Sequence, residues 1–252
     1  LLMPAVPTDA LLVGCFSDPS AVLPSIVSKN GFAAALVEAG VQLDQMVVSL
    51  HYAGKVRPLY VFDAGKIDEE SSVADSISAV AKAKGMYVEA FDCTELPTDR
   101  KIGAHRLVLV SGSKDVVKSS IRHLKAGESV IKVSDFAMAS AKVSGTNLLF
   151  VSNGNSHNLL PAFLVGKYAR QSDFIRRLSD WMAFDISSLT AEKTRFSGSF
   201  VSDSKEPDMI SVFSDCGAAV SEVASMLPSY TVSAMTLPLK RRTQFIASYQ
   251  NF

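Results

Sequence analysis

The chain has 252 residues and no net charge, with 25 Lys+Arg against 25 Asp+Glu. That balance leaves no basic excess to neutralise a phosphate backbone and argues against a nucleic-acid partner. With 48% hydrophobic and 20% charged residues, the chain can bury the core of one large domain or two small ones, which excludes overall disorder.

The longest apolar runs, such as "NLLFV" and "LLPAFLV", fall well short of the roughly 20 residues a transmembrane helix needs. Cys15, Cys93 and Cys216 form no CxxC pair and are odd in number. They outline no disulfide framework, although one disulfide between two of them stays open, so they leave the compartment undecided. The chain starts at Leu1 and stops at "ASYQNF"; both ends read as cut or processed, and a trimmed chain would show no signal peptide.

In chain order, "ALLVGCF" (10–16) is the first strand signal, an apolar run between Pro7 and Pro19. Residues 45–63 read as a hairpin turning at Ala53-Gly54-Lys55, with Met46, Val48, Leu50 and Tyr52 sharing one face. A helix over 71–84 follows, with the apolar stripe Val73, Ile77, Val80 and Ala81 and with Lys82 and Lys84 near its end. Strands are expected at 86–91 and 106–111, then a helix at 115–124 with the stripe Val116, Val117, Ser120, Ile121 and Leu124. A strand at 147–152 precedes a helix capped by Ser172 and Asp173 and carrying Phe174, Ile175, Leu178, Trp181 and Met182. Strands at 195–202 and 208–214 come next, then a helix from about Gly217 to Ala224 that stops before Pro228. Hairpins mixed with strand–helix pairs predict an α+β fold, with a mixed and largely antiparallel sheet and helices packed on it.

Four joints share a design: 16–20, 110–115, 151–156 and 213–217 each follow an apolar strand and precede an expected helix. Each offers Ser, Asp or Asn to the unpaired N–H groups of a helix start. The joint at 110–115 resembles a phosphate loop, which makes Ser111, Gly112, Ser113 and Lys114 the one weak ligand candidate. It matches neither GxxxxGK[ST] nor GxGxxG. A structural cap is the better reading.

Other chemistry is sparse. His51, His105, His123 and His157 never occur at metal-ligand spacing, so no metal is expected. His51 falls on the more polar face of its strand and His123 points away from the 115–124 stripe, so both read as solvated. Without a GxSxG elbow, a Ser-His-Asp site rests on serine abundance alone. "KIDEESS" (66–72) reads as an acidic helix start, and "LKRRTQF" (239–245) as a solvated helix face. No cofactor and no catalytic residues are expected. The opening "VPTDALLVGCF" (6–16) and "LPSYTVSAMTL" (227–237) share order and punctuation as a weak internal repeat. This suggests an α+β domain over 1–226, in one piece or two sub-halves, and the start of a second, truncated unit at 227–252.

Several stretches together, "MPAVPTDALLVGCFSDPSAV", "LVLVSGSKDVVKSSIRHLKAGESV" with "SDFAMA", "FIRRLSDWMAFDIS", "FSGSFVSD" and "MLPSYTVSAMTL", resemble large, uncharacterised, exported or lipid-anchored bacterial envelope proteins. The resemblance implies an extracytoplasmic address, at the periplasm or cell surface, and a longer parent protein; it carries no catalytic residues across. In its most recognisable block, Trp181 reads as core and Asp185 as a turn former. The expected function is a non-enzymatic structural or interaction module. Its partners would be other envelope proteins or the missing remainder of its own chain. The alternative is a small-molecule or carbohydrate binding protein, or a hydrolase, with a site built from loops such as 111–115 and 153–157.

Overall fold

The computed structural model describes residues 2–19, 31–67, 72–96, 103–156, 177–189, 194–202, 208–213, 215–231, 236 and 238–251. Among them eight strands form one sheet: β1 (Leu12–Phe16), β2 (Met46–Tyr52), β3 (Val56–Lys66), β4 (Tyr87–Asp92), β5 (His105–Ser111), β6 (Asn147–Ser152), β7 (Trp181–Leu189) and β8 (Thr194–Val201). Their order is β4-β5-β3-β2-β1-β6-β7-β8, and every neighbouring pair is antiparallel. The helices are α1 (Phe32–Glu38), α2 (Val73–Ala83), α3 (Lys114–Ala126), α4 (Ser134–Ser140), α5 (Asn153–Ser156), α6 (Val223–Met226) and α7 (Arg242–Asn251). The fold is α+β, as the sequence pattern predicts.

Helices cover both faces of the sheet, and β5 shows why. Leu107, Val108, Leu109 and Val110 are all fully buried, which a strand with one wet face cannot achieve. Leu107 and Leu109 join a core with Val13, Val47, Leu59 and Val61 under α3 and α4. Val108 and Val110 point the other way, into a second core with Phe62, α1 and α2. In the first core Phe136 of α4 lies 4.8 Å from Phe150 and 5.1 Å from Trp181, ring centre to ring centre. In the second, Phe32 of α1 meets the Tyr60 ring edge-on at 5.1 Å.

Local chemistry sets the turns. Gly54 has φ 72° at the tip of the β2–β3 hairpin, a conformation that side chains disfavour. The expected stripe of α3 is the buried one: Val116, Val117, Ser120, Ile121 and Leu124. That helix ends at Gly127 (φ 70°), and the Glu128 N–H reaches back to the His123 carbonyl at 2.9 Å, the left-handed stop that glycine permits.

Four expectations need correction. Trp181 and Met182 stand in β7, not on a helix; the expected cap at Ser172 and Asp173, with Phe174 and Ile175, lies outside the described residues. Trp181 is nevertheless buried at 4% exposure. Residues 208–213, the described part of the expected strand at 208–214, do not form a strand. A short 3-10 turn occupies Ser211–Phe213, because the Ser211 N–H donates to Asp208 Oδ1 at 2.7 Å and the Ser211 hydroxyl to the Asp208 carbonyl at 2.7 Å. Such local side-chain bonds compete with sheet pairing. The helix expected over 217–224 is reduced to α6. Gly217 sits at φ 64°, and its carbonyl accepts the Lys240 N–H at 3.1 Å, so this backbone pairs with 238–241 instead. The 213–217 joint therefore neither follows a strand nor opens a helix, while Ser20 of the 16–20 joint lies outside the described residues.

Cys15, Cys93 and Cys216 are all free. Burial pushes the Cys15 thiol up to about 12 and, helped by Asp63 and Asp92, the Cys93 thiol up to about 11, so neither is a ready nucleophile. Asp185 lies inside β7, where its Oδ1 accepts the Ser144 and Gly145 N–H groups at 3.2 and 2.6 Å and fixes the turn before β6. The segment after β8 is tied down by the Ala218–Leu239 bridge and by Phe213 against Phe245 at 5.3 Å. No helix of the described residues is long and apolar enough to cross a membrane.

Candidate functional site

The four residues of the weak ligand candidate do not converge on a cavity. Ser111 is buried at the end of β5, and its Oγ accepts the Ser113 N–H at 3.2 Å. Ser113 occupies the cap position of α3 without a side-chain cap bond. Gly112 has no conformation that requires glycine, and an added Cβ would meet only Arg57 Nη1 at an ordinary 3.5 Å. Lys114 Nζ sits 5.8 Å over the Tyr87 ring rather than over a loop of N–H groups. The side-chain cap that the sequence suggests is not formed: Ser111 Oγ bonds the N–H of Ser113, which precedes the helix, and so closes the corner without capping α3. Lys114→Ala should accordingly cost at most about 1 kcal/mol in urea unfolding, the scale of an exposed cation–π contact. A loss above about 2 kcal/mol would contradict that placement.

The chemistry lies one turn further along α3, in a cleft of about 500 Å³. Its floor is Asp9 and His51, its rim is Tyr52 and Ala53 at the hairpin end, and its wall is Asp115, Lys118, Ser119 and Arg122. The wall follows from helix spacing: positions i, i+3, i+4 and i+7 share one face. The opposite face of α3 is the buried apolar stripe, so the amphipathic pattern that builds the core also aims these polar groups into the cleft.

His51 is the main departure from the sequence reading. It is 2% exposed, not solvated. Its Nδ1 lies 3.0 Å from Asp9 Oδ1 and its Nε2 lies 2.8 Å from Ser49 Oγ. With the Nδ1–H donated to Asp9, Nε2 accepts the Ser49 hydroxyl, and both ring nitrogens are satisfied. Strand alternation puts Ser49 and His51 on one face, under α3, and the turn before β1 delivers Asp9. That turn is held by Asn155 of α5, whose Nδ2 donates to the Thr8 and Ala10 carbonyls at 3.1 and 3.0 Å. Asn155 in turn gives its N–H to Ser152 Oγ at 3.2 Å. The 151–156 joint thus positions Asp9 from the end of the neighbouring strand β6.

The atom order Asp–His–Ser is that of a serine hydrolase relay. The relay is not usable here. Ser49 is fully buried, with its backbone paired between Val13 and Leu59 in the middle of the sheet. A nucleophile must touch a substrate carbon with oxyanion donors about 3 Å away, and the cleft reaches His51 but not Ser49. The trio is a hydrogen-bonded strut.

Hydrogen bonding from His51, only partly opposed by burial, holds the Asp9 carboxyl below its ordinary value of 3.8. A depressed folded value stabilises the protein above the unfolded one, and the stabilisation disappears as pH falls through the folded value. The wild type should therefore lose more stability than Asp9→Asn between about pH 5 and pH 2. Denaturant midpoints across that window measure it, and parallel curves would contradict the assignment.

Two further charge pairs lie elsewhere on the sheet. His105 Nδ1 lies 3.0 Å from Asp63 Oδ1, and Arg106 holds Asp92 through contacts of 2.6 and 2.9 Å. His123 is half-buried, and its Nδ1 bonds the Ser119 carbonyl at 2.8 Å. His157 lies outside the described residues. Among the described residues no cluster of His, Cys, Asp and Glu could hold a metal ion. No protein-family model matches the chain, and comparison with curated proteins and with solved structures finds no match.

Proposed function

We propose that the domain is a non-enzymatic interaction module of a longer, extracytoplasmic bacterial envelope protein, and that it offers its apolar C-terminal segment to a partner. The partner is another envelope protein or the remainder of its own chain. One observation carries the reading: Val220 is 93% exposed, Tyr230 83% and Met226 76%. Single apolar residues on a surface are ordinary, but several large ones along one segment mark a place where another surface docks. Ile246 and Tyr249 of α7 extend the same character at 43% and 55% exposure. The envelope address rests on the sequence resemblance, and the non-enzymatic character on the sequestered Ser49 and the raised thiols.

Thiol accessibility tests this reading. A Met226→Cys substitution should react quickly with a maleimide in the isolated domain, where Cys93 and Cys216 are buried. In the intact gene product, in its native membrane or complex, the same position should be protected. Equal labelling in both settings would contradict the proposal.

A further inference from the structure

We infer that the cleft between the β2–β3 hairpin and α3 is a binding site for a small sugar carrying a carboxylate, a uronic-acid-type ligand. This inference is independent of the interaction reading, because it uses a different surface.

The volume of about 500 Å³ lies within the roughly 300–1,000 Å³ of small-molecule sites. The lining charges narrow the class. Asp9, 64% exposed at its side chain, and Asp115 present carboxylates, while Arg122 presents a guanidinium. A compact, highly charged anion would meet both acids, and a simple cation would meet Arg122 and Lys118. A polyol bearing a single carboxylate suits both signs, with its hydroxyls donating to Asp9 and Asp115 and its carboxylate taking the planar fork of Arg122.

Arg122 has the freedom for this. Among the described contacts its Nη2 makes one long hydrogen bond, 3.3 Å to Ser119 Oγ, whereas Lys118 is engaged by Glu89 at 2.8 Å. The floor is preorganised, since the buried His51 fixes the Asp9 carboxylate and Asn155 fixes the turn that carries it. Preorganisation lowers the ordering cost of binding.

The probe is D-galacturonate, followed by saturation-transfer NMR, with D-galactose and inorganic phosphate as comparisons. Galacturonate should bind, and galactose should bind more weakly. Arg122→Ala should weaken galacturonate binding by about tenfold or more, as expected for a lost charge-assisted hydrogen bond. Asp115→Asn should weaken both sugars, since it removes an acceptor for their hydroxyls. Both positions are on the surface, so circular dichroism and melting should confirm folded variants. The inference is overturned if galacturonate shows no binding at about 10 mM, well above a weak millimolar affinity. It is equally overturned if neither variant changes binding, or if phosphate displaces the sugar with equal affinity.

Discussion

Trp181→Ala should destabilise the domain by about 3–5 kcal/mol, the usual range for deleting a large buried aromatic. The indole is 4% exposed and meets Phe136 edge-on at 5.1 Å, while its backbone pairs with Ser152 of β6 and Val201 of β8. The substitution opens a hole between α4 and the sheet that strands fixed on both sides cannot close. Urea unfolding followed by far-ultraviolet circular dichroism measures the loss. The native protein should also show blue-shifted tryptophan emission that iodide quenches poorly. Red-shifted, readily quenched emission would place the ring at the surface and refute this packing.

His51→Ala should cost about 2–4 kcal/mol. It strands the fully buried Ser49 hydroxyl, a penalty of about 1–3 kcal/mol, and adds the cavity left by the ring. Ser49→Ala should cost less, about 1–3 kcal/mol, since it strands the buried His51 Nε2 but leaves only a small void and keeps the His51–Asp9 contact. Equal, negligible losses in both variants would show that the trio is not a structural strut. The contrast matters because Asp–His–Ser geometry alone invites a catalytic reading, whereas a buried strut shows its importance in stability.

These two residues also mark the limits of the sequence. The stripe of α3 was legible because Val116, Val117, Ile121 and Leu124 follow one helical face over three turns. The β2–β3 hairpin was legible because Gly54 sits at its tip. Trp181 was misplaced because Phe174, Leu178 and Trp181 also fit a helical spacing. The alternation of buried Trp181 and Ala183 with half-buried Met182 and Phe184 is the strand period that competes with it. His51 was misread because Met46, Val48 and Leu50 look like the only core face of β2. The signal that both faces are covered stands elsewhere, in the unbroken run Leu107–Val110. The partnership of His51 with Asp9 joins positions 42 residues apart, and no local spacing encodes it. At 208–213 the strand-like composition gave way to side-chain bonds of Asp208 and Ser211, a competition that hydrophobic patterning does not register.

The interaction reading makes Tyr230 its most direct witness, since this large apolar ring is 83% exposed in a segment with several like it. Place a photo-activatable phenylalanine analogue at position 230 of the full gene product, irradiate the living bacterium, and identify the adducts by mass spectrometry. The account predicts a dominant, specific adduct with one envelope protein or with a distant peptide of the same chain, far above that from the exposed hairpin residue Lys55. Adducts no more abundant or specific at 230 than at 55 would contradict it.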